Sequence, residues 1–124
     1  MNFNISRIIL YVQDVDLLKD FYQQHFHFHA IENIPGEWVL LHGGGVQLAL
    51  HQVGEAYRKP GAQSGLGSNA KIVVNVTEPL TTVRKRMLQA GVPVQNIKSY
   101  PGFPYELCDG QDPEGNVFQL MQPV

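Results

Sequence analysis

Cysteine occurs once in this chain of 124 residues, at Cys108, which excludes an internal disulfide and a cysteine-rich zinc cage. Charge is sparse as well: 16% of residues are Asp, Glu, Lys or Arg, and the formal net charge of -2 provides no basic field to attract nucleic acid. No apolar run approaches the roughly 20 residues of a membrane helix. The first residues also lack the basic-then-apolar layout of a secretory leader, so a cytoplasmic location without a membrane partner is expected. What is present is a globular composition, 44% hydrophobic, enough for one domain or for two half-size modules sharing a core.

Residues 7–14 read as a strand, with Ile8, Leu10 and Val12 on one face and Arg7, Ile9 and Tyr11 on the other. Asp14 or Asp16 can cap a helix over 17–25, whose stripe is Leu17, Leu18, Phe21 and Tyr22. Three short strands follow at 28–33, 38–42 and 46–52, joined by turns at Pro35-Gly36 and Gly43-Gly44-Gly45. Residues 54–70 are rich in Gly and Ser, have no apolar period and read as a linker. The chain then starts again. Residues 71–78 repeat the opening strand type by type, and Thr77 and Pro79 can open a helix running to Ala90, with Leu80, Val83, Met87 and Leu88 buried and Gly91 as its stop. Strands at 94–99, 105–109 and 117–122 complete a second set. Before the last of them, Asp112 and Asn116 can bond local backbone, Pro113 presets φ, and Gly115 supplies a left-handed residue for a tight turn. The expected fold class is α+β: tandem βαβββ modules at 1–53 and 71–124, one structural domain, forming a curled mixed sheet.

The paired modules, Val12-Gln-Asp14 followed by Phe21-Tyr22, and Asp112-Pro-Glu-Gly-Asn116 leading into the last strand together resemble the glyoxalase/bleomycin resistance/extradiol dioxygenase family, the vicinal oxygen chelate superfamily. That resemblance implies a cup lined by strand centres, which holds metal and substrate, and commonly a homodimer, with modules paired within a chain or swapped between two. It also implies metal ligands (His, Glu or Gln) at up to four points, which here fall on Arg7, Ala49, Lys71 and Gln119. Only Gln119 has a lone pair to offer at neutral pH. The expectation is therefore no cofactor at the usual place, with a divalent metal elsewhere left open.

Arg7 and Lys71 bring two like charges to the cup, where an unpaired charge costs several kcal/mol. Two answers stand side by side. One is an internal Arg7-Asp109-Lys71 network, since Asp109 faces the same side by alternation; the other is an anionic ligand held by Arg7 as a fork and Lys71 as a point charge. Tyr11 and Asn75 occupy equivalent places on the two opening strands. Trp38 can pack in the core or floor a site for a flat molecule. Gln47 and His51 share a face with Ala49, and His51 is the best candidate base. His25, His27 and His29 alternate in the manner of a zinc site, but the first two fall at a helix end, with His27 where a left-handed residue is expected. Residues 100–105 form an aromatic loop that either covers the cup or closes a hairpin, and Cys108 reads as inert core. A ligand-binding protein for a small anionic or aromatic compound is the expected function. A glyoxalase- or dioxygenase-like enzyme acting on a small organic molecule is the alternative, and a partner-binding module with a filled cup is a third reading.

Overall fold

Period-two alternation in the strands and recurrence at three and four residues in the helices place apolar side chains on one side of each element. The computed structural model describes residues 2, 4–58 and 70–124, and the chain forms two compact units, Met1–Ser64 and Gly65–Val124. The first contains β1 (Arg7–Val12), α1 (Val15–Phe26), β2 (His29–Ile34), β3 (Trp38–His42) and β4 (Gln47–Gln52). Its sheet order is β1-β4-β3-β2, with β1 parallel to β4 and the hairpins antiparallel. The second contains β5 (Lys71–Asn75), α2 (Leu80–Gln89), β6 (Lys98–Ser99), β7 (Tyr105–Gln111) and β8 (Val117–Pro123), in the order β5-β8-β7-β6 with β5 parallel to β8. The expected α+β pattern of two βαβββ modules, each a four-stranded mixed sheet with one helix, is what forms. Of the expected linker, Glu55–Tyr57 make a single 3-10 turn, and residues 59–69 lie outside the described residues.

In the first unit Val15, Leu18, Phe21 and Tyr22 of α1 are buried, as are Val39, Leu41, Leu48 and Leu50 of the sheet. In the second, Leu80, Val83 and Met87 of α2 are buried, with Cys108, Phe118 and Leu120 of the sheet. At Gly110, paired with Phe118, a Cβ would lie 2.4 Å from the Phe118 ring. The ring fills the space that a side chain on β7 would need. The turn before β8 is closed by Asp112, whose Oδ1 accepts from the backbone N–H groups of Glu114 and Asn116, both at 2.9 Å, and Gly115 takes φ 83°.

The helices begin by different devices. Asp14 caps α1, its Oδ1 accepting from Leu17 N at 3.0 Å, so β1 stops at Val12 rather than running to Asp14. Its other end closes at His27, left-handed at φ 58° as expected. Thr77, expected to cap α2, does not: Pro79 stands at the cap position without a side-chain bond. β5 already ends at Asn75, which leaves Thr77 upstream of the cap. Leu80 N donates instead to Oε1 of Gln122 on β8, at 2.8 Å, and the Gln122 amide N–H groups reach the carbonyls of Val76 and Glu78.

Other expectations are corrected in detail. Leu17 and Leu88 are 46% and 45% exposed, because the buried stripe of α1 begins at Val15 and that of α2 ends at Met87, leaving both leucines at its margin. Ile8 is 45% exposed, since β1 is an edge strand within its unit and is covered only toward Val12. The strand expected at 94–99 shrinks to Lys98–Ser99 plus an isolated bridge from Val94 to Gly110. There the Gln95 carbonyl is drawn out of the ladder by Arg84 Nε at 2.8 Å and the Cys108 thiol at 3.3 Å.

Candidate functional site

Strand pairing puts the candidate residues on the sheet faces opposite the helices. In the first unit the rungs are Arg7–Gln47–His42, Ile9–Ala49–Leu40 and Tyr11–His51–Trp38. All five candidates of this module, Arg7, Tyr11, Trp38, Gln47 and His51, therefore share one face. The His51 ring lies 5.4 Å from Tyr11 and 5.5 Å from Trp38, centroid to centroid. The Arg7 guanidinium stands 6.0 Å over the Trp38 ring, within reach of a cation–π attraction, and the indole N–H donates to Glu32 at 3.0 Å. The middle rung is apolar and buried at its Ala49–Leu40 pair, which is 0% and 2% exposed, while Ile9 on the edge strand is 43% exposed. Gln47 Oε1 is a buried oxygen without a hydrogen-bond partner among the described residues.

The second unit has the same ladder with different chemistry. Its rungs are Lys71–Val117–Gln111, Val73–Gln119–Asp109 and Asn75–Met121–Leu107. Asp109 is the hub: Lys71 Nζ donates to Oδ2 at 2.8 Å and Gln119 Nε2 to Oδ1 at 2.9 Å. Burial pushes the Asp109 carboxyl up, but the hydrogen bonds from Lys71 and Gln119 and the charges of Lys71 and Lys98 outweigh it and hold the group below its usual range. A pocket of about 180 Å³ opens here, lined by Lys71, Lys98, Asp109 and Gln119, by Gln95 and Asn96, and by Tyr100 and Leu107. Asn75 lies on the same face but outside that lining.

Half of the expected charge network is thus present as the Lys71–Asp109 pair, while Arg7 lies over Trp38 in its own unit. The charges are less enclosed than expected: the Lys71 and Asp109 side chains are 44% and 33% exposed, so the pair belongs with surface ion pairs and not with buried ones. The aromatic loop at 100–105 closes the β6–β7 hairpin, through Phe103 N to Tyr100 O at 3.0 Å, and also brings Tyr100 to the pocket. Lys98, Gln95 and Asn96 were not singled out from the sequence. Lys98 joins the pocket lining through its place opposite Leu107 in that hairpin, two residues from Asp109 and so on the same face, a register that no local period in the sequence specifies.

The four positions that the resemblance assigns to metal ligands stand in matching registers, Arg7 and Lys71 each opening a strand whose third residue pairs with Ala49 or Gln119. Taken one at a time, these positions carry a guanidinium, a methyl group, an ammonium and an amide, and of the four only the Gln119 amide oxygen has a lone pair for a divalent cation. That donor set does not fit such an ion. Among the described residues no group of three His, Cys, Asp or Glu side chains gathers elsewhere, the alternating His25, His27 and His29 included. Burial, and then the charge of His27, push His25 down. The Cys108 thiol is buried, and that burial pushes it up against the opposing charge of Arg84, so it stays a neutral core group.

A family model described as the Glyoxalase/Bleomycin resistance protein/Dioxygenase superfamily matches residues 4–120. No curated protein matches significantly. Among solved structures, lactoylglutathione lyase from Agrobacterium tumefaciens is similar at TM-score 0.74 and 20% identity, over 96% of this chain and 92% of that one. The fosfomycin resistance protein FosX from Listeria monocytogenes is similar at TM-score 0.76 and 15% identity, over 100% and 96%. Virulence protein STM3117 from Salmonella typhimurium is similar at TM-score 0.72 and 21% identity, over 100% and 99%. At these identities the structural likeness speaks for the fold. No helix among the described residues is long and apolar enough to cross a membrane.

Proposed function

The chain belongs to the glyoxalase/bleomycin resistance protein/dioxygenase superfamily, and we propose that within it this protein binds a small anionic molecule without the usual metal. The observation that carries this reading is the second-unit pocket, where two lysines, Lys71 and Lys98, line a space with a single carboxylate, Asp109. An arriving carboxylate or phosphate finds an excess of cationic donors there. On the first unit, the Arg7, Tyr11, Trp38 and His51 face offers a cation and three rings to an aromatic group. Homodimerisation, which the family implies, is part of the proposal.

An enzyme is the second reading. It is supported by the relatives named as a lyase and as a fosfomycin resistance protein, and by lysines placed to stabilise a developing oxyanion. Asp109, held as an anion by two donors, is a weak base for such chemistry. The test is a melting-shift screen of chelator-dialysed protein against phosphate, succinate and benzoate. The expected result is a rise in Tm that is reduced in Lys71→Met and Lys98→Met. A rise seen only after a stoichiometric divalent metal is restored would overturn the proposal.

A further inference from the structure

The pocket on the second sheet has a mixed polar lining, and its free hydrogen-bonding groups narrow the class of anion. The Asp109 carboxylate receives one donor on each oxygen, from Lys71 and Gln119, and a carboxylate accepts about four. Because the Gln119 amide gives its N–H to Asp109, its carbonyl oxygen is left as a second acceptor beside the first. Lys71 has one N–H committed to Asp109 and two that are not. These three side chains therefore offer acceptors and a donor together. They suit a hydroxyl, which gives one hydrogen bond and receives another, and disfavour an ammonium, which would stand against the charges of Lys71 and Lys98.

Two further lining residues, Lys98 and Asn96, supply donors. Among the described residues Lys98 forms no ion pair. Asn96 has its oxygen turned to Arg84, at 3.2 Å, which leaves the amide N–H groups for a ligand. The same guanidinium holds the Gln95 carbonyl at 2.8 Å, so this segment is fixed by α2 and not by a bound molecule. An ammonium and an amide NH₂ in one pocket lining suit a carboxylate. Leu107 and Tyr100 are the remaining wall, too little apolar surface for a large hydrophobic ligand. The volume, about 180 Å³, corresponds to roughly six water volumes of the liquid, which admits a compact acid.

We infer that the ligand class of this pocket is a short hydroxycarboxylic acid, its carboxylate on Lys98 and Asn96 and its hydroxyl between Asp109, Gln119 and Lys71. The inference rests on the anion-binding reading above and adds the requirement for the hydroxyl.

Titration calorimetry of the metal-free full-length protein tests it with two probes that differ by one oxygen, malate and succinate. The expected result is that malate binds about tenfold or more tightly than succinate, the worth of a hydrogen bond to a charged group. Asp109→Asn, with its fold checked by melting, should bring malate down toward succinate, while Lys98→Met should weaken both. Equal affinities for the two acids would overturn the inference and leave anion binding standing. Binding of neither, with phosphate or benzoate still bound, would likewise overturn it alone. No response to any of these anions would remove both proposals.

Discussion

The two units share a ladder and differ in what they hang on it. In the middle rung the first unit places Ala49 beside Leu40, and the second places Gln119 beside Asp109 in the equivalent register. The first pair is buried and apolar; the second is a hydrogen-bonded carboxylate that lines a pocket. In the next rung the order reverses, with Tyr11, His51 and Trp38 in the first unit and Asn75, Met121 and Leu107 in the second. The helix-facing side stays apolar in both, because it must cover a helix of the same length class and lose the same water. Repetition therefore preserves the face that folds and frees the face that binds.

Even the helix-facing sides are not copies. Leu41 pairs with Leu48 in the first unit where Gly110 pairs with Phe118 in the second, so two medium side chains are exchanged for none and one large. Phe118→Ala should be the most damaging single change, costing about 3–5 kcal/mol by the cavity it leaves; chemical denaturation checks it. Gly110→Ala should cost about 1–3 kcal/mol by overpacking, and Phe118→Leu in the same chain should recover part of it. A neutral Gly110→Ala would mean that the exchange of volume is not what sets this pair.

The helix starts provide a finer contrast. Asp14→Ala and Gln122→Ala should each cost about 1 kcal/mol by uncapping α1 and α2 respectively. Thr77→Ala should stay within about 0.5 kcal/mol, although by sequence it looks like the cap. A loss at Thr77 equal to that at Gln122 would restore the local cap and remove the distant one.

The smallest expected effect is the pH dependence of the ionic rung. The folded state holds the Asp109 carboxyl below its ordinary value of 3.8. Its contribution to stability is therefore full above that value and lost as pH falls through the lower folded value. Because Lys71 and Asp109 are partly exposed, Lys71→Met should cost at most about 1 kcal/mol at neutral pH, and the difference from the parent chain should close in acid. Arg7→Met in the first unit, where the guanidinium lies over Trp38 with no carboxylate ion pair among the described residues, should show no such acid-dependent closing.

Most of this fold could be read from the sequence because alternation, caps and turn residues are local signals. Asp14, His27, Gly115 and the inward Phe118 and Leu120 behave as their neighbours dictate. What was not legible depends on residues distant in the chain. Gln122 caps a helix 42 residues away from it, and Arg84 pulls the Gln95 carbonyl out of a strand that local pattern would have continued. The Asp109 hub was visible by alternation, but its second lysine, Lys98, enters through the register of a two-residue strand that no local period specifies.

Backbone amide chemical-shift mapping of chelator-dialysed protein titrated with malate tests the binding claim most directly. Shifts concentrated at Lys71, Asn96, Lys98, Asp109 and Gln119, saturating without added metal, are the expected result. Shifts that appear only after zinc or manganese is restored, or that avoid these residues, would contradict it.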